Sequence, residues 1–217
     1  MKITDVIQLA KNGKLKNMPS IANNTDTIVG FINTGLIELY KRFPLKTNEY
    51  MLALEDGITI YTMPSDLMWI VAAYQEVSEP STMTVSLVPI NEEDNPESLN
   101  TISWNQVQVP VTITGAYISI IYVAAPPFIY STDSGFAYRD VDNVEQEITD
   151  IPIPTQMVSA LLDYIAYEAN DTLPNTGELE NKSFYNKFET SCQRIEQRGM
   201  FTPDDLDMKA RHMKGFC

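Results

Sequence analysis

The sequence predicts an α+β fold in which N- and C-terminal helices form a helical bundle around an inserted antiparallel β-sandwich or barrel domain. Apolar residues recur at helical spacing near both ends of the chain. The middle is rich in Val, Ile, Thr and Tyr, with Pro and Gly at its turns and no helical pattern between its strands. The expected segments are the N-terminal helices (1–46), the β domain (47–150), the C-terminal helices (151–200) and a tail (201–217).

The N-terminal part predicts two helices. The first covers residues 3–11, where the apolar residues fall on one side. The second is longer, and either Asn24 or Thr25 is its N-cap. Two glycines in the second helix, Gly30 and Gly35, weaken it by roughly 1 kcal/mol each relative to alanine. The alternative interpretation is that they mark close packing against another helix.

The middle of the chain predicts short antiparallel strands. Residues 50–54 and 58–62 flank the turn sequence EDG at 55–57, which favours a β-hairpin between the two segments. Residues 91–100 (NEEDNPESLN) are expected to form a polar loop. Further strands are expected at 67–77, 83–89, 106–114 and 116–124.

Helical spacing returns in the C-terminal part. Residues 157–169 carry one apolar stripe, which predicts a helix that ends before Pro174. Thr176 is the expected cap of a further helix, which ends at Gly199. We expect the long N-terminal helix to pack on these two, so that the β domain is inserted between elements of one bundle.

Charge is distributed unevenly along the chain. Its 217 residues include 29 acidic and 15 basic ones, for a formal net charge of −14. Residues 1–46 carry +4 and residues 182–217 carry +2, whereas residues 47–181 carry −20 with Arg139 as their single basic residue. This balance excludes proteins that hold nucleic acid through its phosphates, because these need clustered Lys and Arg. It leaves open an ordinary acidic surface or separate surfaces for different partners.

No catalytic or cofactor motif is present in the sequence. The single histidine, His212, and the two cysteines, Cys192 and Cys217, lack the spacing of a nucleophilic or zinc site. Neither GxGxxG nor GxxxxGK occurs. Residues 140–145 (DVDNVE) are similar to the start of a calcium loop but lack its glycine, so a cation site and a solvated acidic loop both stay open. We predict a protein that is not an enzyme, with no catalytic, cofactor-binding or metal residues and no cofactor.

The sequence also predicts where the protein folds. Its N-terminus lacks the apolar core of an export signal, and no apolar stretch reaches membrane-spanning length. We therefore expect folding in the cytoplasm and no membrane partner. Two cysteines are too few for a disulfide scaffold, which agrees with a reducing compartment.

One segment carries a family resemblance. Residues 56–66 (DGITIYTMPSD) form a strand pattern that ends in a Tyr61-x-Met63-Pro64-x-Asp66 turn. The segment RFPL at 42–45 precedes it, and VPINEED at 88–94 and IIYVAAPP at 120–127 follow. In this order the segments resemble the head-to-tail connector proteins of short-tailed bacteriophages, also called adaptor or ring proteins. The similarity is greatest to the ring proteins of crAss-like phages and to tail tubular protein A of podoviruses.

The resemblance implies a structural virion protein of the phage neck, which takes part in tail assembly and DNA ejection. It implies a homo-oligomeric, dodecameric ring that is assembled in the host cytoplasm and docks on the portal protein. The ring would carry the next tail or ring component and extend the channel, through which DNA passes without specific binding. Some family members reach the portal with a C-terminal extension, and the corresponding candidates here are Phe201, Leu206, Arg211 and Phe216.

Two further expectations concern surfaces of such a ring. The acidic segment 47–181 is expected to line the lumen, because an acidic wall repels phosphate, and the basic ends are expected to contact acidic neighbours or adjacent subunits. Aromatic residues in the loop after Pro127 are candidate inter-subunit contacts, unless their own domain covers them. These are Phe128, Tyr130, Phe136 and Tyr138.

Two other classes of function stay open from the sequence. The first is another phage tail or collar component, against which the helices at both ends argue. The second is a carbohydrate-binding β module, in which Trp69, Trp104 and Tyr117 would be stacking platforms for sugar rings.

Overall fold

A computed structural model of the protein describes residues 1–79, 82–113, 116–172 and 178–198. It combines helices with antiparallel sheets, which confirms the α+β class. In the described residues, no helix is long and apolar enough to cross a membrane. The helices are α1 (Ile3–Leu9), α2 (Pro19–Ala22), α3 (Thr25–Arg42), α4 (Val158–Asp171) and α5 (Glu178–Gln197).

The strands fall between α3 and α4 along the chain. They are β1 (Thr47–Ala53), β2 (Ile60–Thr62), β3 (Leu67–Glu79), β4 (Thr82–Val88), β5 (Asn100–Ser103), β6 (Gln106–Gln108), β7 (Tyr117–Ala124), β8 (Ile129–Thr132), β9 (Gly135–Arg139) and β10 (Glu145–Glu147). These strands form a four-stranded sheet in the order β1-β7-β3-β4 and two three-stranded sheets in the orders β2-β6-β5 and β10-β9-β8.

The chain divides into two compact units. Among the described residues, a helical unit contains residues 1–43 and 126–198, and a sheet unit contains residues 44–125. The helical unit therefore includes β8, β9 and β10, which lie in the segment that the sequence assigned to the β domain. The expected loop after Pro127 thus contains strands, which the sequence pattern misses because each is short.

The long helix of the helical unit has one of the two caps that the sequence left open. Asn24 is the N-cap of α3, and its Oδ1 accepts a hydrogen bond of 3.1 Å from the backbone N–H of Thr27. Helix α4 contacts both α3 and α5, so helices from the two ends of the chain share one core. The predicted first helix is α1, which continues as a π-helical stretch, Ala10–Lys14.

The two glycines of α3 have different surroundings. A Cβ atom added at Gly35 would lie 2.6 Å from Cδ1 of Leu161 and 3.2 Å from Cδ1 of Tyr164, so α4 packs directly against this position. A Cβ atom added at Gly30 would have no neighbour within 4 Å. The close-packing interpretation therefore holds for Gly35 and not for Gly30.

Alanine substitutions at the two glycines are expected to change stability in opposite directions. Gly35→Ala lowers the free energy of unfolding by about 1 kcal/mol, because overpacking against the buried Leu161 outweighs the gain in helix propensity. Gly30→Ala is the matched control in the same helix and raises it by about 0.5–1 kcal/mol. Urea unfolding followed by circular dichroism measures both changes. Equal changes at the two positions would contradict the close contact at Gly35.

Two sheets of the sheet unit contribute to one hydrophobic core. Leu52 from β1 and Ile118 and Ile120 from β7 belong to the same buried cluster as Val107 from β6. Along β7 every residue from Ile118 to Ala124 is buried, so this strand follows the pattern of a continuous apolar run rather than an alternating one.

The predicted hairpin around Gly57 is wrong in its pairing. The turn exists, and Gly57 has a φ of +81°, which glycine adopts without strain. However, β1 pairs antiparallel with β7, from Thr47 opposite Val123 to Ala53 opposite Tyr117, and β2 pairs with β6. Turn residues indicate where the chain reverses, whereas the partner of a strand depends on residues far away in the sequence. The predicted strand at 106–114 is also shorter and is β6, Gln106–Gln108.

Candidate functional site

The tyrosine of the Tyr61-x-Met63-Pro64-x-Asp66 motif holds the preceding turn. The hydroxyl of Tyr61 accepts a hydrogen bond of 2.9 Å from the backbone N–H of Glu55 and lies 3.0 Å from the carbonyl oxygen of Ile58. Tyr61 also packs against the core of the sheet unit, and Met63 is buried in that core. These residues therefore close the turn over the end of the core.

The aspartate of the same motif connects three strands of the sheet unit. Its Oδ1 accepts a hydrogen bond of 2.9 Å from the hydroxyl of Tyr122 in β7, and its Oδ2 lies 3.3 Å from Nδ2 of Asn48 in β1. Its backbone carbonyl accepts a 2.7 Å hydrogen bond from the N–H of Ala125. Asp66 thus holds the start of β3 against β1 and β7. Tyr61, Met63 and Asp66 of the motif therefore have structural roles in the sheet unit.

Two buried tyrosines and a buried cysteine make the stability of the protein depend on pH at alkaline values. Burial raises the pKa of Tyr40 and of Tyr122 to about 12, and that of the Cys192 thiol to about 12. The unfolded chain releases these protons first, at its lower pKa values, so stability is full below about pH 9 and falls as the pH rises towards 12. Urea midpoints measured from pH 8 to 12 should decrease steadily, and Tyr122→Phe should make the decrease shallower. A midpoint that stays constant up to pH 12 would contradict the prediction.

Candidate residues for catalysis are not assembled into a site in the described part of the chain. Cys192 is buried in α5, and its raised pKa keeps the thiol protonated at neutral pH. His212 and Cys217 lie outside the described residues. Within 1–79, 82–113, 116–172 and 178–198, no group of three His, Cys, Asp or Glu side chains has the arrangement of a metal site.

The calcium-like stretch at 140–145 forms a hydrogen-bonded turn. Oδ1 of Asp140 accepts hydrogen bonds from the backbone N–H groups of Asp142 (3.1 Å) and Val144 (2.8 Å), and its Oδ2 accepts one from Nε2 of Gln146 (3.1 Å). Asn143 adopts a φ of +61°, which asparagine tolerates. The bond from Val144 is the main reason that the pKa of Asp140 is lowered. The carboxylate of Asp140, which would be the first ligand of a calcium loop, therefore accepts hydrogen bonds from the backbone of its own turn.

The four aromatic candidates for inter-subunit contact differ in exposure. Phe128 is 66% exposed and precedes β8. Tyr130 is half-buried and its hydroxyl donates a 2.7 Å hydrogen bond to Oε2 of Glu145 across the sheet. Phe136 and Tyr138 are half-buried on β9. Phe128 is thus the most accessible of the four for another protein.

Sequence reasoning missed Asn33, the residue that positions this aromatic segment. Its Nδ2 donates a 2.7 Å hydrogen bond to the carbonyl of Ile129, and its Oδ1 accepts a 2.9 Å hydrogen bond from the N–H of the same residue. Both residues are buried. The amide thus pairs with β8 as a neighbouring strand would, and it fixes the start of β8, next to Phe128, on α3.

Basic residues near the ends of the chain form ion pairs within the helical unit. Arg42 at the end of α3 contacts Glu189 at 2.7 Å and Glu196 at 2.6 Å, both on α5. Lys14 contacts the buried Asp163 of α4 at 2.5 Å. These cations therefore connect the N-terminal helices to the C-terminal ones.

The acidic loop of the sheet unit is held by its own hydrogen bonds. Oδ1 of Asn91 accepts a 2.8 Å hydrogen bond from the N–H of Thr101, and Oγ of Ser98 accepts one of 2.9 Å from the N–H of Glu92. The loop presents four exposed carboxylates in an ordered conformation. They are Glu92, Glu93, Asp94 and Glu97.

The candidate portal-binding residues of the tail lie outside the described residues. They are Phe201, Leu206, Arg211 and Phe216. Their role in portal binding stays a prediction.

The chain matches a family of known proteins. The model of the family described as SU10 adaptor protein matches residues 1–208. This range includes the Tyr61–Asp66 motif and all the described residues of both compact units. No curated protein matches the chain.

Proposed function

This chain belongs to the SU10 adaptor protein family, and we propose that it forms a closed ring in the neck of a bacteriophage. Membership in an adaptor family makes it a structural component of the virion that interacts with other phage structural proteins. The ring that we propose is a dodecamer that docks on the portal and extends the DNA channel to the tail. The family match over residues 1–208 is the observation that carries this proposal.

The charge of the sheet unit supports a channel through which DNA slides. Residues 44–125 contain ten acidic residues and one basic residue, Lys46. The ordered loop at 91–98 concentrates four of the carboxylates. A wall of this charge repels DNA phosphates, whereas a basic wall would hold them by counterion release. The proposed ring therefore lets DNA pass during packaging and ejection.

Ring closure requires head-to-tail contacts between copies, in which two different surfaces of each copy meet. Phe128 is a candidate for one of these surfaces, because a large exposed aromatic side chain is typical of an interface centre. Its position on the helical unit is fixed by the Asn33–Ile129 hydrogen bonds.

The test uses the full chain and the portal protein of the same phage. The two proteins are mixed, and their assembly is measured by light scattering after gel filtration and by negative-stain imaging. The proposal expects an annulus stacked coaxially on the portal, and the annulus should not retain DNA in a filter-binding assay at low salt. A chain that stays monomeric both alone and with the portal contradicts the ring.

A further inference from the structure

The acidic sheet unit contains a surface without charge. Residues 98–132 include no Asp, Glu, Lys or Arg, and neither do residues 57–65. The three-stranded sheet β2-β6-β5 lies entirely within these two segments. Its charge-free sequence contrasts with the ten acidic residues of residues 44–125.

One face of this sheet is covered by the core and the other is exposed. Tyr61 and Val107 lie opposite each other on the inner face, and Val107 is fully buried. The neighbouring row, Ile60–Gln108–Asn100, lies on the outer face, because side chains alternate along a strand. Ile60 is 50% exposed there.

Apolar side chains are concentrated on and beside this outer face. Ile58 lies two residues before Ile60, between the Gly57 turn and β2, and both are about half-exposed. Ile102 is half-exposed at the β5 bulge, and Trp104 is 71% exposed in the turn between β5 and β6. We define the uncharged face as these four residues together with Gln106 and Gln108.

The composition of the uncharged face is that of an interface core. Single exposed apolar residues are ordinary on protein surfaces. Several on and beside one sheet face, with a tryptophan and without charges, match the centre of protein interfaces, where charged residues are depleted and aromatic ones enriched. The amides of Gln106 and Gln108 supply hydrogen-bonding groups without charge.

We propose that the uncharged face docks a second copy of this chain. The inference rests on the proposed ring and names one of its contact surfaces. Each copy carries a net charge of −14, so a contact between acidic surfaces would bring carboxylates together at an electrostatic penalty. The uncharged face lets two such copies approach without that repulsion. Trp104 is the anchor of the contact, since a large exposed indole fills a pocket on its partner.

Charge insertion gives the sharpest test of this surface. Gln108→Glu is nearly isosteric and places one carboxylate at the centre of the face, and Trp104→Ser removes the anchor. Gln193→Glu on the exposed surface of α5 and Val111→Ser, at a position 82% exposed but outside the face, are the matched controls. All four changes affect exposed side chains, so thermal unfolding should remain within a few degrees of wild type.

Assembly of each full-length variant is measured by analytical ultracentrifugation, alone and with the portal protein. Gln108→Glu and Trp104→Ser should raise the protein concentration needed for half-assembly at least tenfold, whereas both controls should assemble like the wild type. The wild-type ring should also persist when NaCl is raised from about 0.1 to about 1 M, since its contact does not depend on opposite charges.

The failures of the two proposals are distinguishable. If the wild type assembles with the portal and both face variants assemble equally well, the uncharged face is not a contact between copies. The proposal of a ring is not contradicted by that result. If the wild type never assembles, the ring itself fails and the docking surface with it. If Trp104→Ser removes binding on a glycan array and leaves assembly unchanged, the face is a sugar site and the inference is overturned.

Discussion

Replacing Asn33 with leucine is expected to lower the free energy of unfolding by about 2–5 kcal/mol. Leucine has the same branching as asparagine, but it can neither donate to the carbonyl of Ile129 nor accept from its N–H, which Asn33 does at 2.7 and 2.9 Å. Both residues are buried, so water cannot replace the lost partner. Each unsatisfied backbone group costs about 1–3 kcal/mol. Urea unfolding monitored by circular dichroism measures the loss.

The same substitution should release β8 locally from α3. Hydrogen exchange at the N–H of Ile129 should accelerate together with exchange in β9, which pairs with β8. Asn186→Leu, at an exposed position of α5, is the matched control and should change stability by less than about 0.5 kcal/mol. An Asn33→Leu protein as stable as this control would show that the Asn33–Ile129 pair contributes nothing.

Asn33 illustrates what a sequence pattern cannot show. The apolar spacing of α3 predicts the helix correctly, and a polar residue on the buried side counts only as an interruption of that spacing. Its function depends on Ile129, which follows 96 positions later. No local signal connects the two residues, so both the Asn33 contact and the sheet it supports were missed.

Sequence patterns predict correctly those features of the structure that depend on residues close together in the chain. The Asn24 cap of α3 and the apolar stripe of α4 each depend on residues within a few turns, and both are present in the structure. The predicted hairpin around Gly57 is wrong because the pairing of its strands depends on residues far apart in the chain. Its turn is local, but the pairing of β1 with β7 joins Thr47 to Val123. Non-local pairing is decided by the shared core rather than by the turn.

The candidate site was predictable at the level of family and only in part at the level of residues. The adaptor family inferred from the order of a few segments is confirmed by the match over residues 1–208. The finer similarity to crAss-like ring proteins and to tail tubular protein A stays a prediction. Among the four aromatic candidates, exposure distinguishes Phe128 from the rest, and exposure depends on tertiary packing that no spacing rule contains.

Basic residues of the N-terminal part have a structural role in the helical unit. The sequence suggested that these cations meet acidic neighbours or adjacent subunits. Within the chain, Lys14 and Arg42 contact carboxylates of α4 and α5, while contacts of the basic ends with other proteins stay a prediction. The positive charge at one end of the chain is thus matched to negative charge near the other end, which helps to join the helices on either side of the inserted residues.

Removing the charge of Lys14 is expected to destabilise the protein by about 1–3 kcal/mol. Lys14→Met keeps the length of the side chain but leaves the carboxylate of Asp163, which is buried in α4, without its ammonium partner at 2.5 Å. The hydroxyl of Ser191, at 2.8 Å, remains as a hydrogen-bond donor to the same carboxylate. The loss stays below the 3–5 kcal/mol of a fully buried pair because the Lys14 side chain is 38% exposed.

A double-mutant cycle isolates this pair from other effects of the substitution. Asp163→Asn removes the buried charge, so Lys14→Met should cost much less in the Asp163→Asn background than in the wild type. The expected coupling is about 1–2 kcal/mol, measured from urea unfolding of the four proteins. Lys16→Met, at an exposed position two residues further on, is the control and should change stability by less than about 0.5 kcal/mol. A cycle without coupling would mean that the Lys14–Asp163 contact does not join the N-terminal segment to α4, and that apolar packing alone holds these elements together.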